Sequence, residues 1–462
     1  MEATTLKKER KKIIRGWIFY DWANSVYNLV ISSAVFPIFY DSLTKKQYLA
    51  RVGRDALLPN ETVLVNFFGH EISSASLFSY VLSLSFLFVA VLSPLLSGVA
   101  DFMGNRKTFL KSFCYLGSFS CIAFMFFPSI PIELGMLFVF LASIGFWNSM
   151  VFYNAYLPEI AHPRMHDKIS AKGFMMGYFG SMILLIICLL IITQVSPILI
   201  KKGIVEDALQ VTKYCFPLVG IWWIAFAQIT FKVLPENKQD VRFAKGDRNR
   251  ILFKGIGEFK KVLNEFRGIK KLIRFLTAFF FYNTGVQTVM LMAVLFANQE
   301  IAWKSKEEGS TGLIISILLI QLLGAAGAML ISKISNKIGN IPTLKIVVSF
   351  WVLLVVYAYV IVSPSEFYIL AASVGLVMGG VQALSRSTYS KMLPKTDDTT
   401  SYFSFYDVTE KIGIVLGTFF FGFANQMFGS MRYSVISIGI FFVIGLFVLL
   451  TIPRKDQLIN ED

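Results

Sequence analysis

The chain has 462 residues and a formal charge of +15, yet only 16% of it is charged and 55% is hydrophobic, with a mean hydropathy of +0.62. Globular domains carry roughly 25% charged residues, so composition excludes a soluble globular protein and points to a chain embedded in lipid. Four cysteines (Cys114, Cys121, Cys188, Cys215) lie in or beside apolar runs without CxxC spacing, which leaves no disulfide framework.

Taken in order, the chain shows twelve apolar segments, near residues 16–40, 75–97, 108–128, 133–157, 172–195, 212–234, 272–297, 311–332, 342–362, 366–390, 402–427 and 431–452. Each is close to the ~20 residues that span a bilayer as a helix, so the expected fold is an all-α membrane bundle rather than a barrel. Residues 7–15 are a basic cluster with no small-residue cleavage site, so segment 1 itself is expected to direct insertion. Inside that segment, Asp21, Asn24 and Asn28 recur at i, i+3 and i+7 and share one helical face. A carboxylate and two amides on a spanning helix belong against other helices or a wet cavity, not lipid.

Basic residues mark one side of the bundle. They precede segment 1 and follow segment 2 (Arg106, Lys107, Lys111), segment 4 (Arg164, Lys168, Lys172), segment 8 (Lys333, Lys337, Lys345) and segment 10 (Lys391, Lys395). The opposite loops mix signs or are nearly uncharged. The positive-inside rule then places both termini in the cytoplasm, with the plasma (inner) membrane as the expected location. It also accounts for most of the charge without a nucleic-acid partner. Between segments 6 and 7 lies a basic connector, 235–271. Its Leu252, Ile256, Phe259, Leu263 and Phe266 repeat every three or four residues among Lys254, Lys260, Lys261 and Arg267. This pattern reads as an amphipathic helix on the anionic leaflet, tethering two halves.

Those halves, 1–234 and 272–462, read as repeats. Gly104 and Gly339 are 235 positions apart, Pro158 and Pro394 are 236 apart, and Tyr20-Asp21 corresponds to Tyr282-Asn283 once the long loop 41–74 is allowed for. Paired six-helix halves with a midplane site describe a secondary transporter.

Gly98-Val-Ala-Asp101-Phe-Met-Gly104-Asn105-Arg106-Lys107 resembles the loop signature of the major facilitator superfamily. Tyr20-Asp-Trp-Ala-Asn-Ser-Val-Tyr27, Phe152-Tyr-Asn-Ala-Tyr-Leu-Pro-Glu-Ile160 and Gly379-Gly-Val-Gln-Ala-Leu-Ser-Arg-Ser387 resemble one branch of it, the "unknown major facilitator" family. That family includes fungal vacuolar amino-acid effluxers linked to autophagy. The resemblance implies helices 1, 4, 7 and 10 around the cavity, and efflux of an amino acid or similar small solute. One departure is Thr284, where the family usually carries an acidic residue.

Within that frame Asn24, Asn28, Asn148, Asn283, Gln287 and Gln382 are the candidate solute contacts; each amide could instead hydrogen-bond a neighbouring helix and only pack the bundle. Asp21 reads either as a coupling-proton carrier or as a paired structural charge. Arg386 is expected to pair with Asp407 or Glu410, near Lys411 at the start of segment 11, as a gate or as permanent glue. Asp101 is expected to dock on the N terminus of segment 11 and hold the inner side closed, with Gly98, Gly104, Arg106 and Lys107 completing the conformational motif. Asn336, its counterpart after segment 8, is uncharged, which predicts a latch on one half only. His162 and His166 have zinc-like spacing, but Pro163 interrupts the helix and no further ligands surround them, so no metal is expected. No Walker A, H-E-x-x-H or G-x-S-x-G motif is present, so neither a cofactor nor enzymatic activity is expected. The expected protein is a monomeric carrier with a small-molecule substrate, protons as a coupling ion, and the bilayer as its surroundings. The rival readings are a sensor or scaffold on a transporter fold, a channel, or a carrier for another solute such as a sugar or drug.

Overall fold

The computed structural model describes residues 2–58, 61–236 and 251–453. Among the described residues, twelve helices are long and apolar enough to cross a membrane: α1 Lys8–Val52, α2 Ser74–Met103, α3 Arg106–Ser129, α4 Ile132–Ile160, α5 Pro163–Lys201, α6 Leu209–Val233, α7 Lys270–Glu300, α8 Glu307–Ile338, α9 Asn340–Val360, α10 Pro364–Met392, α11 Thr399–Phe428 and α12 Met431–Leu450. Most extend past the apolar runs that announce them, because charged ends continue the helix beyond the hydrocarbon. An even number of spans leaves both ends of the chain on one face, the terminal face.

Buried hydrophobics form two main clusters. One runs from Trp17 to Leu234, the other almost wholly from Val262 to Ile452. The halves meet where α5 packs on α8 and α10, and where α2 packs on α11. Close packing inside each half depends on missing side chains. A Cβ on Gly379 would lie 2.0 Å from the Gly324 carbonyl of α8, and one on Gly375 would lie 2.7 Å from that of Ile320. The G-x-x-x-G of α10 therefore seats α10 against α8 at backbone contact. Ser363 and Glu366 cap α10 reciprocally, fixing its start and hence the depth of every residue along it.

Two features of α1 were outside the sequence expectation. Its middle, Tyr27–Ala34, is wound as a π-helix, and Ser33 Oγ donates to the Asn28 carbonyl at 3.0 Å. Such wide turns free a residue from the regular ladder and occur often at functional positions. The loop expected at 41–74 is helix as far as Val52, as the end of α1, and beyond it carries an antiparallel hairpin of β1 Leu64–Phe67 and β2 His70–Ser73.

The connector forms the helix Ile251–Gly268; residues 237–250 lie outside the described residues, as do the side chains of Leu252 and Lys254. Part of its apolar face meets protein. Gly255 abuts Gly98 and Val99 of α2, Val262 is fully buried, and Phe259 and Phe266 lie 5.3 and 4.8 Å from the Phe405 ring of α11. Lys261 reaches Asp398 at the start of α11, 3.4 Å away. Burial lifts the Asp398 carboxyl above its ordinary range; Asp101 and Glu258 add to that, and Lys261 opposes it. The connector helix thus touches one helix from each half. A Cβ at 255 would come within 2.8 Å of the Val99 backbone nitrogen, so Gly255→Leu should lift the helix off α2. Hydrogen exchange across 255–268 should then rise at least tenfold while exchange in α1 stays slow; unchanged protection would refute the contact.

Candidate functional site

Three stretches distant in sequence converge near the terminal face. From α1, Asp21 Oδ2 accepts from the Tyr153 hydroxyl of α4 at 2.9 Å and from Arg386 Nη2 of α10 at 3.0 Å. The same guanidinium donates to Ser170 Oγ and to the Ser170 carbonyl, both at 3.0 Å, and to Asn154 Oδ1 at 3.3 Å. Its planar face is covered by Phe174, 4.2 Å away, and by Trp17 at 4.9 Å. Both charged side chains are almost wholly buried, at 2% and 4% exposure. Gly173 makes the pair possible, since a Cβ there would lie 2.2 Å from Asp21 Oδ2. Arg386 therefore pairs with Asp21, not with Asp407 or Glu410 as the sequence reading expected, and it ties the second half to three helices of the first.

Two further links flank this pair. Asp101 Oδ2 accepts from the Ser401 backbone N–H and from Ser401 Oγ, both at 2.7 Å, and Oδ1 takes the Thr400 N–H at 3.3 Å. A carboxylate thus satisfies the free donors and partial positive charge at the start of α11. Gly104, in the left-handed region at φ 62°, turns the chain so that Arg106 folds back beneath α2. Arg106 is buried, bonding Asp101, Glu159 and Thr400, and Lys107 donates to the Leu234 carbonyl at 2.9 Å. Both basic residues therefore hold structure as well as mark topology. The second link was missed. Asp167, at the start of α5, accepts from Lys391 at 2.7 Å, Asn340 at 2.8 Å and Ser335 at 3.0 Å. Its carboxylate comes from the first half and its partners from the second. The latch expected on one side is thus present on both, with the acid in each case contributed by the first half. Asn336 itself is exposed. His166 spends its ring nitrogens on the Ala161 carbonyl and Ser390, and His162 accepts from the Arg164 N–H.

Deeper in the bundle lies a second charged cluster. Lys411, fully buried, sits 3.0 Å from Asp407 and 3.2 Å from Glu410, with its ammonium 3.5 Å from the centre of the Trp147 ring. Ser93 of α2 bridges the halves, donating to Asp407 Oδ2 and Asn148 Oδ1, both at 3.1 Å. Gln287 Nε2 of α7 donates to Glu410 Oε1 at 2.8 Å. Because α11 begins at Thr399, these charges lie two to three turns inside it, deeper than the apolar run implied.

The amides divide. Asn24 is buried against α4, its Nδ2 3.0 Å from Met150 Sδ, and Asn148 is sealed, donating to the Ile144 carbonyl. Gln382 accepts from the Tyr178 hydroxyl of α5 at 2.9 Å, and Gln321 of α8 accepts from Ser181 at 3.3 Å. Asn28, on the same face as Asp21, is exposed in the middle of a spanning helix. Asn283, one turn before Gln287, is buried, and its Nδ2 has no acceptor among the described residues. Thr284 packs on α11 over Gly413 and Gly417, its hydroxyl donating to the Phe280 carbonyl at 2.6 Å.

The family described as vacuole effluxer Atg22 like matches residues 9–459. The MFS-type transporter YxiO of Bacillus subtilis (strain 168) is 28% identical, over 98% of this chain and 97% of its own length. Autophagy-related protein 22 of Coccidioides immitis (strain RS) is 24% identical, over 91% of this chain and 83% of its own. Among solved structures, the E. coli fucose:proton symporter FucP superposes with a TM-score of 0.62 at 13% identity, covering 96% of this chain and 98% of its own. The human organic anion transporter MFSD10 does so with a TM-score of 0.63 at 11% identity, covering 96% and 99%. At such identities the structures speak for the fold.

Proposed function

The chain belongs to the vacuole effluxer Atg22-like family, and on that premise we propose a secondary carrier that moves a small organic solute by alternating access. It is a multi-pass membrane protein and a transporter of the MFS type; proteins of this kind move solutes and are not enzymes. The observation that carries the reading is the Asp21–Arg386 pair, with the Asp101 and Asp167 links beside it. All join one half to the other near the terminal face, and each can part if the halves rock about a central site. The geometry corresponds to a state closed at that face, which the basic loops assign to the cytoplasm. Asp21, held by Arg386, then serves as gate; a coupling proton, if one is used, falls to Asp407 or Glu410. Amino-acid efflux is the finer proposal; the family description supports efflux, and amides of the second half that meet hydroxyls of the first (Gln382 with Tyr178, Gln321 with Ser181) suit a polar solute. The protein is proposed to act as a monomer.

Counterflow in proteoliposomes tests the reading. Vesicles preloaded with an unlabelled amino-acid mixture should accumulate labelled solute transiently and saturably. Accumulation without saturation would indicate a channel, and binding without flux a sensor. Asn28→Ala should leave stability within about 0.5 kcal/mol, since the side chain is exposed. The apparent affinity in counterflow should fall about tenfold, the effect of one lost hydrogen bond to a solute; equal counterflow would remove Asn28 from the site.

A further inference from the structure

Lys411 occupies surroundings that are themselves a recognition site for a cation. An ammonium group is satisfied by carboxylate acceptors and by the face of an indole ring, and the chain's own amine has here found two carboxylates and Trp147. The charges do not balance. Asp407 and Glu410 face one ammonium, and Arg386 on α10 is committed to Asp21. An uncompensated charge at this depth is costly, so with both carboxylates ionised the cluster is short of one positive charge, which a proton or a bound cation supplies. The three members also differ in access. Lys411 is sealed and Asp407 nearly so, while Glu410 keeps 17% of its side chain exposed. A second and independent observation lies on the helix facing it. Gln287 holds one oxygen of Glu410, and one turn earlier on the same face of α7 the buried Asn283 Nδ2 has no acceptor among the described residues.

We propose that Glu410, Asp407 and the face of Trp147 recognise the ammonium group of a solute, a place that Lys411 fills when the site is empty, and that Asn283 donates to an oxygen of the same solute. The ligand class is a primary ammonium carrying a carboxylate or carbonyl nearby. Its ammonium takes Glu410 Oε2 and brings the missing charge, and Lys411 withdraws toward Asp407. Trp147, Ser93 and Asn148 belong to the first half, Asp407, Glu410 and Lys411 to the second. Displacing Lys411 from the indole therefore loosens a tie between the halves in the step that binds solute, which gives binding a purchase on rocking. The inference rests on the carrier reading for its consequence, but binding itself requires no transport.

Purified protein is titrated with L-leucine, ethylammonium and N-acetyl-leucine, following thermal unfolding and tryptophan emission, with Trp147→Phe to identify the ring that responds. L-leucine and ethylammonium should stabilise the protein and change its emission, whereas N-acetyl-leucine, which lacks the cation, should do neither. Glu410→Gln should abolish both responses. Asn283→Ala should weaken L-leucine several-fold and leave ethylammonium unchanged. Lys411→Met, if it folds, should bind ethylammonium at least tenfold more tightly, because the internal competitor is gone; Glu410→Gln carries the test if it does not. An undiminished response in Glu410→Gln, no response to any ammonium compound, or stabilisation by acid or sodium with amines inert would each overturn the proposal. Binding without counterflow would instead overturn the carrier reading and leave this one standing.

Discussion

Arg386→Met is expected to lower unfolding stability by about 3–5 kcal/mol, the cost of leaving one member of a buried ion pair alone. Asp21 would be left in a site with 4% exposure, holding only the Tyr153 hydroxyl. The double variant Asp21→Asn/Arg386→Met should recover most of the loss, because removing both charges abolishes the desolvation penalty along with the attraction. Arg386→Lys should fall between the two. A lysine keeps the charge but cannot reach Asp21, Ser170 and Asn154 at once, nor stack flat between Phe174 and Trp17. Unfolding in mixed micelles measures all three. With Asp21→Asn completing the cycle, single effects that simply add in the double variant would show that the two charges do not interact.

The second large effect concerns conformation rather than stability. Asp101→Ala removes a carboxylate that accepts three hydrogen bonds at the start of α11 and one from Arg106. Hydrogen bonds to a charged group contribute roughly 1.5–3 kcal/mol each. In the proposed cycle those to α11 part when the terminal face opens, so losing them should shift the equilibrium toward the open state by at least about tenfold. Single cysteines at Ser385 and Ser390, buried in the closed state, should then react faster with a water-soluble maleimide added at the terminal face. Asp167→Ala should do the same by an independent route, and the two effects should add in free energy because they lie on different helices. Unchanged labelling in both would mean that the acidic links do not hold the face shut.

How much of this was legible follows from what a linear pattern can carry. Twelve spans were readable because lipid demands long apolar runs, and the face bearing Asp21, Asn24 and Asn28 was readable because helical spacing is local. The partner of Asp21 was not, since Arg386 lies 365 residues away and three helices decide the geometry between them. Asp101 could be directed to the start of α11 because a helix N terminus attracts anions wherever it sits. Asp167 performs the matching role from α5 of the same half, and its own sequence shows only an acid near a helix start. Lys411 was placed at the start of segment 11, because its apolar run begins at 402; the helix in fact begins earlier, and Trp147 of α4 roofs it over. The i, i+4 spacing of Asp407 and Lys411 was the available hint. The protein contact of the connector helix was not legible for a similar reason: an amphipathic face fits lipid and protein equally well, and only the small residues Gly98 and Gly255 signalled a close protein contact.

The central claim is that two six-helix halves rock about the polar site between them. It is tested most directly by distances between spin labels, one pair across the terminal face at Lys168 and Lys337, the other across the opposite face at Lys201 and Lys304, all exposed positions. The four native cysteines are buried and leave the labels specific. The account predicts that Asp101→Ala lengthens the first distance and shortens the second in the same sample. Two distances that stay fixed, or that lengthen together, would contradict it.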